Sequence, residues 1–343
     1  MKFLLLVILF WSVLNYFINP LKTFPSLKME FEISMNKKIQ KMVHGLTAFE
    51  IENLPRKNFE IKNIVFVTAF ARSQWIEALK SCISLKESDE IAYHFARSEL
   101  QMVALFLGKL TPRLQRVYHQ FCPYVEIKEF NYSKYPAYVE NLNHYRWKPL
   151  IIAEYLRKND IVFWFDAAVG FKNGDETLKD IVSSMNTQYK TCGFRIFSKA
   201  EYPIVSATDP RMYNYFSAND DVLHLNMISA AVFIVSKTPE AVKVLERVVQ
   251  CALIEDCMGP PNSTNYCNPE KLIEEKYSDC HKYDQSALAL SLAQCSLNIR
   301  DYFGNSDMVL VGKTIFQKIR KENPVQIKST EDYKGDIIED QEV

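Results

Sequence analysis

The strongest strand signal in the chain is Ile161-Val162-Phe163-Trp164-Phe165, a short run without a polar residue that stops at Asp166. A run of this kind reads as a strand buried on both faces, and such a strand needs a layer of structure on either side. Ile61 to Ala69 and Ile91 to Phe95 read as further strands, and Val125 to Phe130 alternates as a half-buried one. Between them, Trp75, Ile76, Leu79, Cys82 and Ile83 recur at helical spacing. Glu99 to about His119 and Arg146 to Leu156 read as helices, the latter with Pro149 tolerated near its start. The segments Leu178–Met185, Cys192–Phe197, Ala230–Val235 and Ala241–Ile254 continue the rhythm, and a last helix runs from Asp284 to about Gln294. Strands alternating with helices predict one α/β domain over residues 59–320, with a mostly parallel central sheet covered by helices on both faces.

The flanks of that domain speak to its compartment. An apolar run from Phe3 to Ile18, closed by Asn19-Pro20, makes residues 1–19 either a retained signal anchor or a cleaved signal peptide. Residues 20–58 read as a stem or packing arm, and residues 321–343 as an acidic flexible tail. The chain carries eight cysteines, four of them between Cys251 and Cys280, at spacings too irregular for a paired zinc site. They read as disulfides of an oxidising compartment, with the pairing left open. Two sequons, at Asn131 and Asn262, are candidate glycosylation sites. The expected location is the secretory pathway, at a Golgi or ER membrane with a lumenal domain, or outside the cell if the leader is cleaved. With 41 basic and 41 acidic residues, no net field draws the chain to nucleic acid.

Three segments could carry chemistry. Asp166 stands where a buried strand ends, the edge at which open α/β sheets bind ligands. It either faces a ribose or a cation, or closes its own loop. Arg146 and Lys148 open the helix that leads into that strand, either as phosphate ligands or as a solvated basic turn. Asp284 precedes an apolar helix, either as a general base near an acceptor hydroxyl or as an N-cap. His281, three residues before it, is either a ligand or structural.

The order Phe66-Val67-Thr68-Ala69, Tyr145-Arg146-Trp147-Lys148-Pro149, Phe163-Trp164-Phe165-Asp166-Ala167 and Tyr283-Asp284-Gln285-Ser286-Ala287-Leu288 resembles an uncharacterised family abundant in nematodes. Its members are similar in layout to nucleotide-sugar glycosyltransferases of the GT-A type, and the resemblance runs from about residue 60 to about 315. It implies a single GT-A-like domain that transfers a sugar from a nucleotide-sugar donor to a glycan or protein acceptor, held at the membrane by the N-terminal helix. It places Thr68, Ala69 and Arg72 against the donor, Asn226 beside the donor sugar, and His281 near the metal or diphosphate. Asp166 would stand for the first carboxylate of the metal-binding Asp-x-Asp motif, and Asp284 for the acidic position near the acceptor.

The sequence departs from that pattern at Ala168, where the second metal-binding carboxylate should stand. Mn²⁺ and Mg²⁺ take several hard oxygen ligands, and one carboxylate is a poor cage. Asp220 and Asp221 could contribute in space, or Arg72, Arg146 or Lys148 could steady a leaving group without a metal. The alternative reading is a non-catalytic lumenal or secreted binding protein on the same fold, with Tyr135, Tyr138, Tyr145 and Trp147 as an aromatic surface for sugars. No Gly-x-Ser-x-Gly elbow and no His-Glu-x-x-His helix favours a hydrolase.

Overall fold

The computed structural model describes residues 37–47 and 58–311. The leader, most of the stem and the acidic tail lie outside them. Within the stem, Lys37–Thr47 forms helix α1, which buries Ile39 and Val43 in the domain core.

The central sheet has six strands in the order β3-β2-β1-β4-β9-β6. They are β1 (Ile64–Phe70), β2 (Gln101–Phe106), β3 (Val125–Glu129), β4 (Ile161–Phe165), β6 (Phe194–Ile196) and β9 (Val232–Ser236). β1 pairs in parallel with β2 and β4, and β2 in parallel with β3. β9 runs antiparallel between β4 and β6, so it alone opposes the rest. All seven residues of β1 and all five of β4 are buried, as central parallel strands require. β3 lies at the edge and alternates buried and exposed at its start. Two small antiparallel pairs flank the sheet: β5 (Val169–Phe171) with β10 (Val309–Val311), and β7 (Lys199–Pro203) with β8 (Asn226–Ile228).

Helices cover both faces. On one side lie α2 (Trp75–Leu85), α4 (Pro112–Phe121) and α6 (Leu178–Asn186), over a core that includes the stacked pair Phe66–Phe163. On the other lie α1, α5 (Trp147–Lys158), α8 (Pro239–Leu253) and α11 (Tyr283–Cys295). Thr238 caps α8 through its hydroxyl, with Pro239 at the first helical position, a favoured start.

Two expected elements change place. Ile91–Phe95 is not a strand but part of helix α3 (Asp89–Ala96), whose first turn holds Asp89 and Glu90. Acidic residues at a helix start favour its dipole, and only Ile91 of this segment is buried. The second strand is Gln101–Phe106, inside the stretch read as helical from Glu99. Met102 to Phe106 is a continuous buried run, so here the strand signal outweighs helical spacing.

The eight cysteines form four disulfides. Cys82–Cys122 ties α2 to the end of α4, and Cys192–Cys295 ties the approach to β6 to the end of α11. Cys251–Cys257 and Cys267–Cys280 pin the loop region after α8, where the short helices α9 (Glu255–Met258) and α10 (Pro269–Ile273) lie. Among the described residues no helix is long and apolar enough to cross a membrane.

Candidate functional site

The strand order reverses between β1 and β4, so their carboxyl ends flank a topological switch point, the place where open α/β sheets bind ligands. Asp166 follows β4 directly. Trp164, two residues earlier on the same face of the strand, donates its indole N–H to Asp166 Oδ1 at 3.0 Å. Lys148, in the first turn of α5, reaches the same oxygen at 3.0 Å. Its Nζ also lies 2.8 Å from Asp284 Oδ2 and donates to the Ala230 carbonyl at 3.3 Å. One ammonium thus joins three elements: the end of β4, the start of α11 and the approach to β9.

The chain bends to allow this. Tyr145, just before α5, and Tyr283, the first residue of α11, both have positive φ, 53° and 40°. Such conformations are costly for side chains of this size and tend to sit where function or tight packing over-determines them. The Tyr145 and Trp164 rings lie 5.4 Å and 5.6 Å from Lys148 Nζ, in cation–π range. Burial opposes the charge on Lys148, but the two carboxylates outweigh it and hold the ammonium above its ordinary range. Asp284 is pushed up by burial against the pull of Lys148. The Asp166 side chain is 34% exposed, against 4% for Lys148 and 9% for Asp284. Asp166 is therefore the triad's face to solvent, and Asp284 lies behind the lysine. Asp284 is not an N-cap either, because that position falls to Lys282.

Other expected site residues go elsewhere. Arg146 is not a solvated cation: it is fully buried and donates to the carbonyls of Ala252, Ile254 and Glu255 at 3.0, 3.0 and 2.5 Å. Those carbonyls belong to the end of α8 and the turn after it, so Arg146 satisfies a helix C-terminus. His281 is also internal. The Asp209 N–H donates to its Nδ1 at 3.2 Å, which puts the proton on Nε2, facing the Met258 carbonyl at 3.2 Å. Burial pushes its pKa down to about 4, so the ring is neutral and both nitrogens are in use.

Thr68 is buried and, by strand alternation, shares the face of Phe66 and Phe70, away from Trp164. Ala69 joins the core on the triad's face. Arg72 is half-buried in the turn that follows β1, at the carboxyl edge of the sheet. Asn226 is exposed at the start of β8. The supposed aromatic surface is largely packed: Trp147 is buried, Tyr135 stacks on Phe130, and Tyr138 donates its hydroxyl to the Leu253 carbonyl. Asn131 and Asn262 are both exposed, as sequons must be to receive a glycan.

The metal expected of the fold family does not fit these residues. Asp166 is followed by Ala167 and Ala168, and its carboxylate already holds an ammonium. Asp220 and Asp221 are exposed at the start of α7 (Asp220–Leu223). Among the described residues no three His, Cys, Asp or Glu side chains are grouped to hold an ion. Sequence reasoning missed the Ala230 carbonyl and the Trp164 contact, although the period-2 spacing of Trp164 and Asp166 carries the second.

Several solved structures are similar to the chain. Galactosyltransferase LgtC, solved with donor and acceptor sugar analogs, is 11% identical with a TM-score of 0.37, over 66% of this chain and 70% of that one. Core-mannan synthase A of Aspergillus fumigatus, in an Mn/GDP form, is 7% identical with a TM-score of 0.38, over 71% and 72%. The mannosyltransferase Ktr4p of S. cerevisiae is 10% identical with a TM-score of 0.37, over 79% and 77%. No curated protein sequence matches the chain. A family model does match, over residues 22–153, which take in the Phe66–Ala69 and Tyr145–Pro149 motifs but neither Asp166 nor Asp284. It is described as "Protein of unknown function (DUF1647)", and the chain is similar to that family over this segment.

Proposed function

We propose that the chain is a lumenal glycosyltransferase-like protein that takes a nucleotide-sugar donor between the carboxyl ends of β1 and β4 and passes its sugar to a hydroxyl of a glycan or protein. The observation that carries this reading is the convergence of Asp166 and Asp284 on Lys148 at the sheet's switch point. Such an edge is where a phosphate- and ribose-bearing ligand is held in open α/β sheets. Asp166, the exposed carboxylate, accepts hydrogen bonds from sugar hydroxyls. Lys148 and Asp284 position it, which moves Asp284 from base to supporting residue. Arg72, half-buried just after β1, is a further cation at the same edge, on the side where a departing diphosphate would lie. Four disulfides favour an oxidising compartment. With the apolar leader this points to a secretory-pathway protein, anchored at a Golgi or ER membrane or released.

One observation favours the rival reading, a binding protein without turnover. Both terminal guanidinium nitrogens of Arg146 and both ring nitrogens of His281 meet partners inside the protein, and Asp284 is sealed behind Lys148. The two readings part in one experiment on the full chain from an oxidising host. Its melting is recorded with UDP- and GDP-sugars, and the stabilising donor is then tested for hydrolysis and transfer. A ligand that binds only the folded state raises the melting temperature. Transfer that falls at least about a hundredfold in Asp166→Asn, with a donor-induced shift still present, supports the enzyme, on the scale of losing one electrostatic contact that strengthens in the transition state. A shift with no turnover supports the rival, and turnover unchanged in Asp166→Asn removes Asp166 from the chemistry.

A further inference from the structure

We infer that Lys148 is the resident cation of this centre, seated where a divalent ion would otherwise go, so that the centre takes up a divalent metal only when the lysine is removed. The ammonium has three N–H donors, and three oxygens face it: Asp166 Oδ1 at 3.0 Å, Asp284 Oδ2 at 2.8 Å and the Ala230 carbonyl at 3.3 Å. Carboxylate and carbonyl oxygens are the donor types that Ca²⁺, Mg²⁺ and Mn²⁺ take. The cage is thus of the right chemistry for a hard cation but is filled by a side chain that the protein itself supplies.

Charge points the same way. Two carboxylates and one ammonium sum to a single negative charge, and a divalent ion entering beside Lys148 meets a like charge at short range. Without the ammonium the two carboxyl groups lose their counter-ion, and a divalent ion that displaces the protons they then hold takes its place. Lys148 cannot swing aside cheaply. Its side chain is 4% exposed and its Nζ lies within cation–π range of both the Tyr145 and the Trp164 ring. Ala168 then loses its air of defect: a second carboxylate on that loop has no ion to bind when a lysine holds the first.

For the donor, the inference rests on the reading proposed above and predicts binding that neither chelator nor added Mn²⁺ alters. The metal test does not rest on it. Mn²⁺ binding to the full chain is followed by loss of the free-ion electron paramagnetic resonance signal and by melting, with Ca²⁺ as a second probe. The wild type is expected to bind neither ion at millimolar concentration. Lys148→Ala is expected to take up one ion per chain with a rise in melting temperature, lost again in Lys148→Ala/Asp166→Asn. If Lys148→Ala does not fold, Lys148→Gln carries the same measurement. Mn²⁺ bound by the wild type and lost in Asp166→Asn overturns the inference. So does a folded Lys148 variant that binds neither ion. Donor binding that fails while the metal arm succeeds counts against the glycosyltransferase reading alone.

Discussion

The sheet edge and the disulfide-pinned loop region both bury charge-bearing side chains, and they settle them in opposite ways. In the loop region Arg146 and His281 donate to backbone carbonyls of residues 252–258, so their hydrogen bonds end inside the protein. At the edge Lys148 meets two carboxylates, one of which opens to solvent. Arg146 and Lys148 are two residues apart in one motif, yet the first closes a helix end and the second forms a site. A basic motif is therefore read by what its atoms meet. Backbone carbonyls mark a structural residue, because a buried carbonyl left unpaired is costly. A carboxylate with an open side marks a residue that a ligand can reach.

The contrast breaks or sharpens under substitution. Arg146→Ala removes its donors from three carbonyls, of which that of Ile254 keeps a backbone partner, the Cys257 N–H, and is expected to cost about 3 kcal/mol of stability, read from the denaturant midpoint under non-reducing conditions. Arg146→Lys should recover only part of that, since an ammonium cannot span the carbonyls as the guanidinium fork does.

Next in size is a pH effect of His281. Its pKa falls from an ordinary 6.5 to about 4 on folding. Between those values the unfolded chain binds more protons, so stability rises with pH through this window and is lost as pH falls from 6.5 towards 4. The full swing is on the order of 3 kcal/mol. Asp209, Arg211 and His144 face the ring and enter the same balance. His281→Gln should flatten the melting temperature over this range, and a profile as steep as the wild type's would assign the dependence to another group.

The smallest expected effect lies at the edge. Asp166 is partly solvated and Asp284 stays on the buried ammonium, so Asp166→Asn should cost less than Arg146→Ala, about 1–2 kcal/mol. A loss as large as that of Arg146→Ala would mean that the edge is built like the loop region, and the distinction would fall.

Much of this was legible from residue order alone. The Ile161–Phe165 run, the aspartate at its end, the Asp284 helix and the oxidised cysteines all rest on local signals: apolar continuity, helical spacing and cysteine number. The second strand differs from the expectation because Ile91-Ala92-Tyr93-His94-Phe95 is rich in strand-forming residues, while Asp89 and Glu90 before it favour a helix start. The partners of Lys148 were out of reach for a different reason. Asp166, Asp284 and Ala230 come from three elements, and only the sheet order brings them together. Arg146 and His281 show the same limit from the other side, because a backbone carbonyl that waits for a donor leaves no mark on the residues that present it.

The bond between Cys192 and Cys295 has a consequence for the chain after damage. It closes a covalent ring that holds β6 to β9, α8, the loop region and Asp284, with Lys148 and Asp166 outside. Residues 265 and 266, at the exposed tip of that region, are open to a protease. A single cut there frees no fragment: both pieces remain one molecule until a reductant reaches the bond. A nicked protein would thus keep Asp284 tethered near Lys148 as long as the bond stays oxidised, and would reveal its injury only on a reducing gel.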